Sequence, residues 1–241
     1  MIRSTAVALA LIASPAFADT TAVYEARNGA FKMTIEIADN GDVRGDVNAK
    51  PGSYFVTRHG EGFAILPTPA GPVTDRLSDL TEATATLMSE RLPGFRENMR
   101  RFPHEKAAPQ FFVAGGVVSI HGRSGTTYFV KTPPGAVKQP PWAVISHDSN
   151  LAPIGPALAR QYEMSEQGQI AMIGFVPPQL AQMGEILKSG APLAFAGAQL
   201  TSVNHEPIPR SRFELPGPPE SRAAIEKRLR ATNRGLSVKA F

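Results

Sequence analysis

From Ala22 onward, apolar and polar residues alternate with the period of two that a half-buried strand requires. The clearest run sets Phe31, Met33, Ile35 and Ile37 on one face and Lys32, Thr34 and Glu36 on the other. Asn28-Gly29 and Asn40-Gly41 bracket this run, and both pairs accept the positive φ angles of a tight hairpin turn. The pattern predicts strands at 23–27, 31–38, 43–49, 53–58 and 63–67, with the last two joined through His59-Gly60-Glu61-Gly62. Five consecutive antiparallel strands follow.

The period then changes. Leu80, Ala83, Leu87 and Met88 recur at helical spacing after Asp79, which forms a capping box with Glu82. Pro93-Gly94 ends that helix, a shorter helical piece is expected at 95–102, and the polar stretch 104–109 reads as a connection. Strands are expected again at 110–114, 117–123 and 126–131, separated by Gly115-Gly116 and Ser124-Gly125 turns. The segment 132–141 holds four prolines, so it is an irregular loop and a candidate hinge. A short apolar strand at 142–146 precedes a helix striped by Ile154, Leu158 and Tyr162. Pro177-Pro178 opens a further helix carrying Leu180, Met183 and Leu187, which Gly190 stops. Closing strands are expected at 193–203 and 210–215. A last amphipathic helix at 220–230 places Ile225 and Leu229 on one side, with Arg222, Lys227, Arg228 and Arg230 elsewhere. Contiguous strands interrupted by helices argue α+β rather than βαβ units. The expected architecture is one strongly curved antiparallel sheet, an incomplete barrel, with helices inserted between strand groups and packed on its concave face.

The N-terminus changes where this domain operates. Arg3, an apolar stretch at 6–13 and Ser14-Pro15-Ala16-Phe17-Ala18 have the layout of a cleavable signal peptide, with small residues at Ala16 and Ala18 for the peptidase. The apolar stretch falls well short of the ~20 residues of a membrane span. The cut is expected before Asp19, delivering the protein to the periplasm. The expected division is therefore 1–18 signal peptide, 19–217 sheet domain, and 218–241 basic C-terminal helix and tail. No cysteine is present, which removes an acyl anchor, disulfides and thiolate chemistry together. The formal charge of +4 is a mild excess, and no basic run interleaves with aromatics, so nucleic-acid binding is excluded.

Catalytic patterns are weak. His104-Glu105 lacks the second histidine of a zinc protease motif. His147-Asp148-Ser149 contains the residue types of a triad, but adjacent side chains do not converge. His121-Gly122-Arg123-Ser124-Gly125 resembles a nucleophile elbow only in part, because Thr126 stands where the second glycine belongs. Asp39, Asp42 and Asp46 bracket a hairpin without the spacing of a calcium loop. No phosphate-cradling loop occurs, and no cofactor or metal is expected. What remains is apolar surface: Phe31, Met33, Ile35, Ile37, Phe63, Ile65, Val118 and Ile120 are expected to face the interior, as a packed core or as the lining of a ligand cavity. Met164, Met172 and Met183 are further adaptable apolar groups.

Gly190-Ala191-Pro192-Leu193, followed by Pro207-Ile208-Pro209-Arg210-Ser211-Arg212-Phe213-Glu214-Leu215-Pro216, resembles the closing strands of the LolA/LolB-like lipoprotein-carrier fold. More closely, these words resemble an uncharacterised exported bacterial family of that fold. The resemblance covers the two ends of the mature chain and implies an incomplete barrel with an apolar cavity for acyl chains. The helix from Asp79 and the proline-rich loop depart from compact carriers, and no functional residue is carried over. The expected function is a periplasmic binding or carrier module for a hydrophobic ligand, a lipid or a lipoprotein acyl chain, without catalysis. Its alternatives are an envelope protein-protein interaction module, using a sheet edge or the basic helix, and a hydrolase with an unrecognised site.

Overall fold

The computed structural model describes residues 19–233 apart from 27–28, 30, 49–50, 93, 95–96, 98–109, 133–134, 136–138, 174–175 and 177, and apart from the side chains of 165–173. The expected signal peptide, the connection at 104–109 and the helical piece at 95–102, residue 97 excepted, lie outside the described residues. So do the side chain of Met172 and the tail from 234.

Six strands come first: β1 (Thr20–Ala26), β2 (Lys32–Ile37), β3 (Val43–Val47), β4 (Tyr54–Arg58), β5 (Glu61–Thr68) and β6 (Gly71–Arg76). Helix α1 (Leu77–Arg91) leads to β7 (Phe112–Ile120), β8 (Arg123–Val130) and β9 (Ala143–Ser146). Helices α2 (Ile154–Ile173) and α3 (Pro178–Lys188) precede the hairpin β10 (Ala191–Phe195) and β11 (Ala198–Asn204), and α4 (Arg222–Asn233) ends the described chain. The strands form a single antiparallel sheet in the order β6-β5-β4-β3-β2-β1-β11-β10-β9-β8-β7. Its edges, β6 and β7, do not pair, so the sheet is open. The architecture is α+β, and the first strand lies mid-sheet because β1 pairs with β11 from the other end of the chain.

Several local expectations are corrected. The opening meander has six strands, the missing one being β6, where Pro72 argues against a strand. Proline is tolerated there because β6 is an edge. Helix α1 begins at Leu77, with Arg76 at its N-cap and no side-chain cap, so Asp79 and Glu82 form no capping box. The Gly115-Gly116 and Ser124-Gly125 pairs are not turns: both lie inside strands, and the chain reverses at His121 and Gly122, whose φ angles are 49° and 77°. These glycines serve close approach instead. A Cβ on Gly115 would meet Thr127 Oγ1 at 2.5 Å, and one on Gly125 would meet the Ile145 carbonyl oxygen at 2.9 Å. The strand expected at 193–203 is the β10–β11 hairpin, reversed at Ala196 and Gly197 with φ angles of 49° and 86°. The strand expected at 210–215 is a 3-10 turn, Arg210–Phe213. Prolines at 207, 209 and 216 deny that stretch the donors of a ladder.

The register decides what each face of the sheet carries. Ile35 lies opposite Ala22 on β1 and Gly45 on β3, and Gly45 lies opposite Phe55 on β4. On this face Ala22, Tyr24, Ile35, Ile37 and Val43 form one buried cluster with Ile154, Ala157 and Leu158 of α2 and Leu187 of α3. The predicted stripe on α2 is thus its core-facing side. Gly45 has no side chain because the Phe55 ring occupies that space, 1.9 Å from where its Cβ would be. The opposite face carries a smaller cluster of Val56, Phe63 and Ile65, against which Leu215 packs. Nearby, Arg212 spans to Glu36 at 2.9 Å and to Asp46 at 3.5 Å, so the segment after β11 is tied across this face.

Tyr24 is fully buried and donates its hydroxyl to the Pro192 carbonyl at 2.8 Å, linking β1 to β10. Burial pushes the phenol far up, so it remains a neutral donor. Tyr24→Phe removes this buried hydrogen bond and is expected to cost about 1 kcal/mol in urea unfolding. Unchanged stability would mean that this bond is not formed.

Candidate functional site

Phe31 and Met33 stand at one end of β2, and across β1 and β11 the register brings them beside the β10–β11 turn. Together with Ala26, Phe195, Ala196, Gly197 and Ala198 they line an open groove of about 550 Å³. Among the described residues every lining side chain is apolar. The chain can lay this wall down because Ala196 and Gly197 adopt positive φ, and the Trp142 carbonyl accepts the Ala196 N–H at 3.0 Å.

An aromatic stack backs the groove. Phe195 meets Trp142 edge-on at 5.3 Å and Tyr162 of α2 at 5.9 Å, and Trp142 lies 4.6 Å from Phe112. Such tilted and edge-on contacts fix ring orientation as well as burying area. Burial pushes the Tyr162 phenol up to about 12, so it contributes no charge near neutral pH. Trp142 is the chain's sole tryptophan and sits directly behind Phe195.

The eight candidate residues are not gathered into one lining. Phe31, Met33, Ile35 and Ile37 share the face packed on α2, with Ile35 fully buried in its cluster. Phe63 and Ile65 lie on the opposite face: Gly45 pairs with Phe55 and Phe55 with Ala64, which turns both neighbours of Ala64 away. Val118 and Ile120 are also on that opposite face, since Tyr128 pairs with Ala143 and Gly125 with Val118. Val118 is 40% exposed, while Ile120 packs against the main cluster from the end of its hairpin. The groove therefore contains Phe31 and Met33, and its far wall, Phe195 and Ala198, was missed. The signal for that wall was Ala196-Gly197, which marks a reversal within what looks like one long strand.

A second depression, of about 470 Å³, lies where β8 and β9 part. Their register stops at Thr126 opposite Ile145, although β8 remains paired with β7 to Arg123 and β9 with β10 to Ser146. Ser124, Ser146, His147 and Asp148 line this split, so two motifs distant in sequence do converge. They do not form a relay. The Asp148 carboxylate takes Arg123 Nη1 at 2.6 Å and the Asn150 N–H at 3.0 Å, and the His147 ring has no hydrogen bond among the described residues. The three hairpin aspartates are likewise engaged: Asp39 by Arg210, Asp42 by Asn40 and His59, and Asp46 by Arg44. Among the described residues no three His, Asp or Glu side chains gather as metal ligands would. Among the same residues no helix is long and apolar enough to cross a membrane.

The basic helix is not a free cationic face. Arg222 pairs with Glu82 and Arg230 with Glu90 of α1, while Arg228 reaches Asp75 of β6 at 2.5 Å. No family model matches the chain, and no curated protein or solved structure matches it.

Proposed function

We propose that the protein is an exported, non-catalytic module that binds or carries an apolar ligand, a lipid or an acyl chain, in the groove between β2 and the β10–β11 turn. The observation that carries this is the groove's volume, about 550 Å³, combined with a lining whose described side chains are all apolar. Ligand sites of small molecules span roughly 300–1,000 Å³ and are mostly apolar. Under this reading the open sheet curves around its helices as in LolA-like carriers, and the signal segment delivers the domain to the periplasm. The tightly packed middle of the core, where Tyr24 and Ile35 are fully buried, confines the ligand to the mouth.

Trp142 reports directly on this reading. Titrating the mature protein with dodecanoate brominated at its tail is expected to quench its fluorescence saturably, while brominated propionate does not. Phe31→Arg, at a half-buried position of the rim, is expected to weaken binding at least tenfold while leaving the circular dichroism spectrum unchanged, since it places a charge on apolar surface. A folded wild-type protein whose Trp142 emission ignores the long chain would overturn the proposal.

The interaction-module alternative draws on a different feature, edge strand β7. It has no charged residue and no proline, and Val117 is 71% exposed. Natural edges are normally blocked by such residues. The opposite edge, β6, carries Pro72 and is contacted by the Glu220 N–H, which donates to the Thr74 carbonyl at 2.8 Å. With the arginines of α4 engaged, β7 is the better docking surface. Val118→Lys is expected to abolish partner capture in crosslinked cells without altering dodecanoate binding, and unchanged capture would remove this reading.

A further inference from the structure

At the end of β2 remote from the groove, the β2–β3 turn and the first turns of α2 enclose a separate pocket of about 170 Å³. Ile37 and Val43 form its sheet side, and Pro153, Pro156 and Ala157 form its helix side. Ile35, between Met33 and Ile37 on the same face, is fully buried, so the pocket and the groove do not merge. Arg160 also lines the pocket, one turn along α2 from Ala157.

The charges around this pocket are unequal in their engagement. Asp39 lines it too, but its Oδ1 accepts from Arg210 Nη2 at 2.5 Å. Asp42 is buried and accepts from Asn40 Nδ2 at 3.0 Å and from the His59 N–H at 3.2 Å. Asp19 accepts the Asp39 and Ile208 N–H groups at 2.8 and 2.7 Å. Arg160, by contrast, has one hydrogen bond among the described residues, from Nη1 to the Gly41 carbonyl at 3.0 Å. Its partner is neutral, its remaining N–H donors have no acceptor among the described residues, and the fork is already oriented by that carbonyl. A guanidinium in this condition is suited to a carboxylate, which it can engage through two parallel hydrogen bonds.

We infer that this pocket binds a small apolar carboxylate, an aromatic or branched-chain acid, with its hydrocarbon between the sheet and α2 and its carboxylate on Arg160. The size agrees with a single ring, since an apolar cavity of about 150 Å³ takes up benzene. Groove and pocket would then select different molecules: long hydrocarbon chains at one end of β2, short compact acids at the other.

Fluorine NMR of the mature protein with 4-fluorobenzoate, and separately with the neutral 4-fluorobenzamide, tests this. The acid is expected to bind about tenfold more tightly than the amide, the scale of one charge-assisted contact. Arg160→Met, which keeps the stem and removes the charge at an exposed position, is expected to bring the acid down to the affinity of the amide. Arg160→Lys is expected to fall between them. Dodecanoate binding, read at Trp142, is expected to be unchanged in Arg160→Met, so this inference and the groove assignment fail separately. Equal affinity for acid and amide in the wild type would overturn it. So would acid binding that survives Arg160→Met, or the absence of binding by a folded protein.

Discussion

Replacing Arg228 by methionine is expected to destabilise the protein by about 3–5 kcal/mol, the usual consequence of stripping the partner from a buried charge. Asp75 has no exposed surface, and Arg228 Nη2 reaches its two carboxylate oxygens at 2.6 and 2.5 Å. Register places Asp75 opposite Ala64, on the core side of the edge strand β6. The arginine therefore both anchors α4 and allows an acid to sit at the margin of the core. Asp75→Asn combined with Arg228→Met is expected to be markedly less harmful than Arg228→Met alone, because no unpaired charge remains. Urea unfolding of the four members of this cycle measures the coupling. A loss below about 1 kcal/mol for Arg228→Met, as for a surface pair, would show that Asp75 is reached by water.

The neighbouring pairs of the same helix set the contrast. Arg222 with Glu82 and Arg230 with Glu90 are about half exposed, and substituting either arginine is expected to cost far less than Arg228→Met, because solvent screens both pairs. The hydrogen bond from Arg230 holds the Glu90 carboxyl below its usual range. A depressed carboxyl adds stability above its unfolded pKa and loses it as the pH falls through the folded one. The contribution of this pair is thus present at neutral pH and absent in acid.

This helix illustrates what a one-dimensional pattern conceals. Its amphipathic stripe was legible, and Ile225 is indeed fully buried. The partners of its arginines cannot be read from the pattern, because Asp75, Glu82 and Glu90 lie about 140 or more residues away. The opening meander was legible for the opposite reason. Its pairing is local, and each turn announces itself through a glycine with positive φ. Where a glycine answers to packing rather than to a turn, the same cue misleads, as at Gly115 and Gly125. Periodicity also fixes relative faces only within one strand. Phe31 to Ile37 stay together, but which side Phe63 or Val118 joins depends on the length of every intervening turn. For this reason two of the seven lining residues of the candidate groove, Phe31 and Met33, could be read from the chain, and the wall from β10 and β11 could not.

Gly155→Ala should be the most damaging addition of a single methyl group, although alanine in an ordinary helix is favoured over glycine by about 1 kcal/mol. A Cβ at this position would lie 2.3 Å from the Gly190 carbonyl oxygen and 2.5 Å from that of Leu187. Both obstacles are backbone, so no side chain can rotate away. Retreat of Gly190 is blocked as well, because a Cβ there would meet the Ser146 carbonyl oxygen at 2.4 Å, which shows how closely β9 lies behind it. The start of α2, the loop after α3 and β9 are stacked at backbone contact, and inserting a methyl group is expected to cost about 3 kcal/mol. Gly116→Ala is the control, since nothing lies within 4 Å of its added Cβ and its stability should hardly change. The consequence reaches function, because α2 carries both Tyr162 behind the groove and Arg160 at the pocket. A displaced α2 should weaken dodecanoate and fluorobenzoate together, whereas Phe31→Arg and Arg160→Met each weaken only one. If Gly155→Ala proves as stable as the wild type, α2 does not meet Gly190 as described, and the shared dependence of the two sites on this helix is lost.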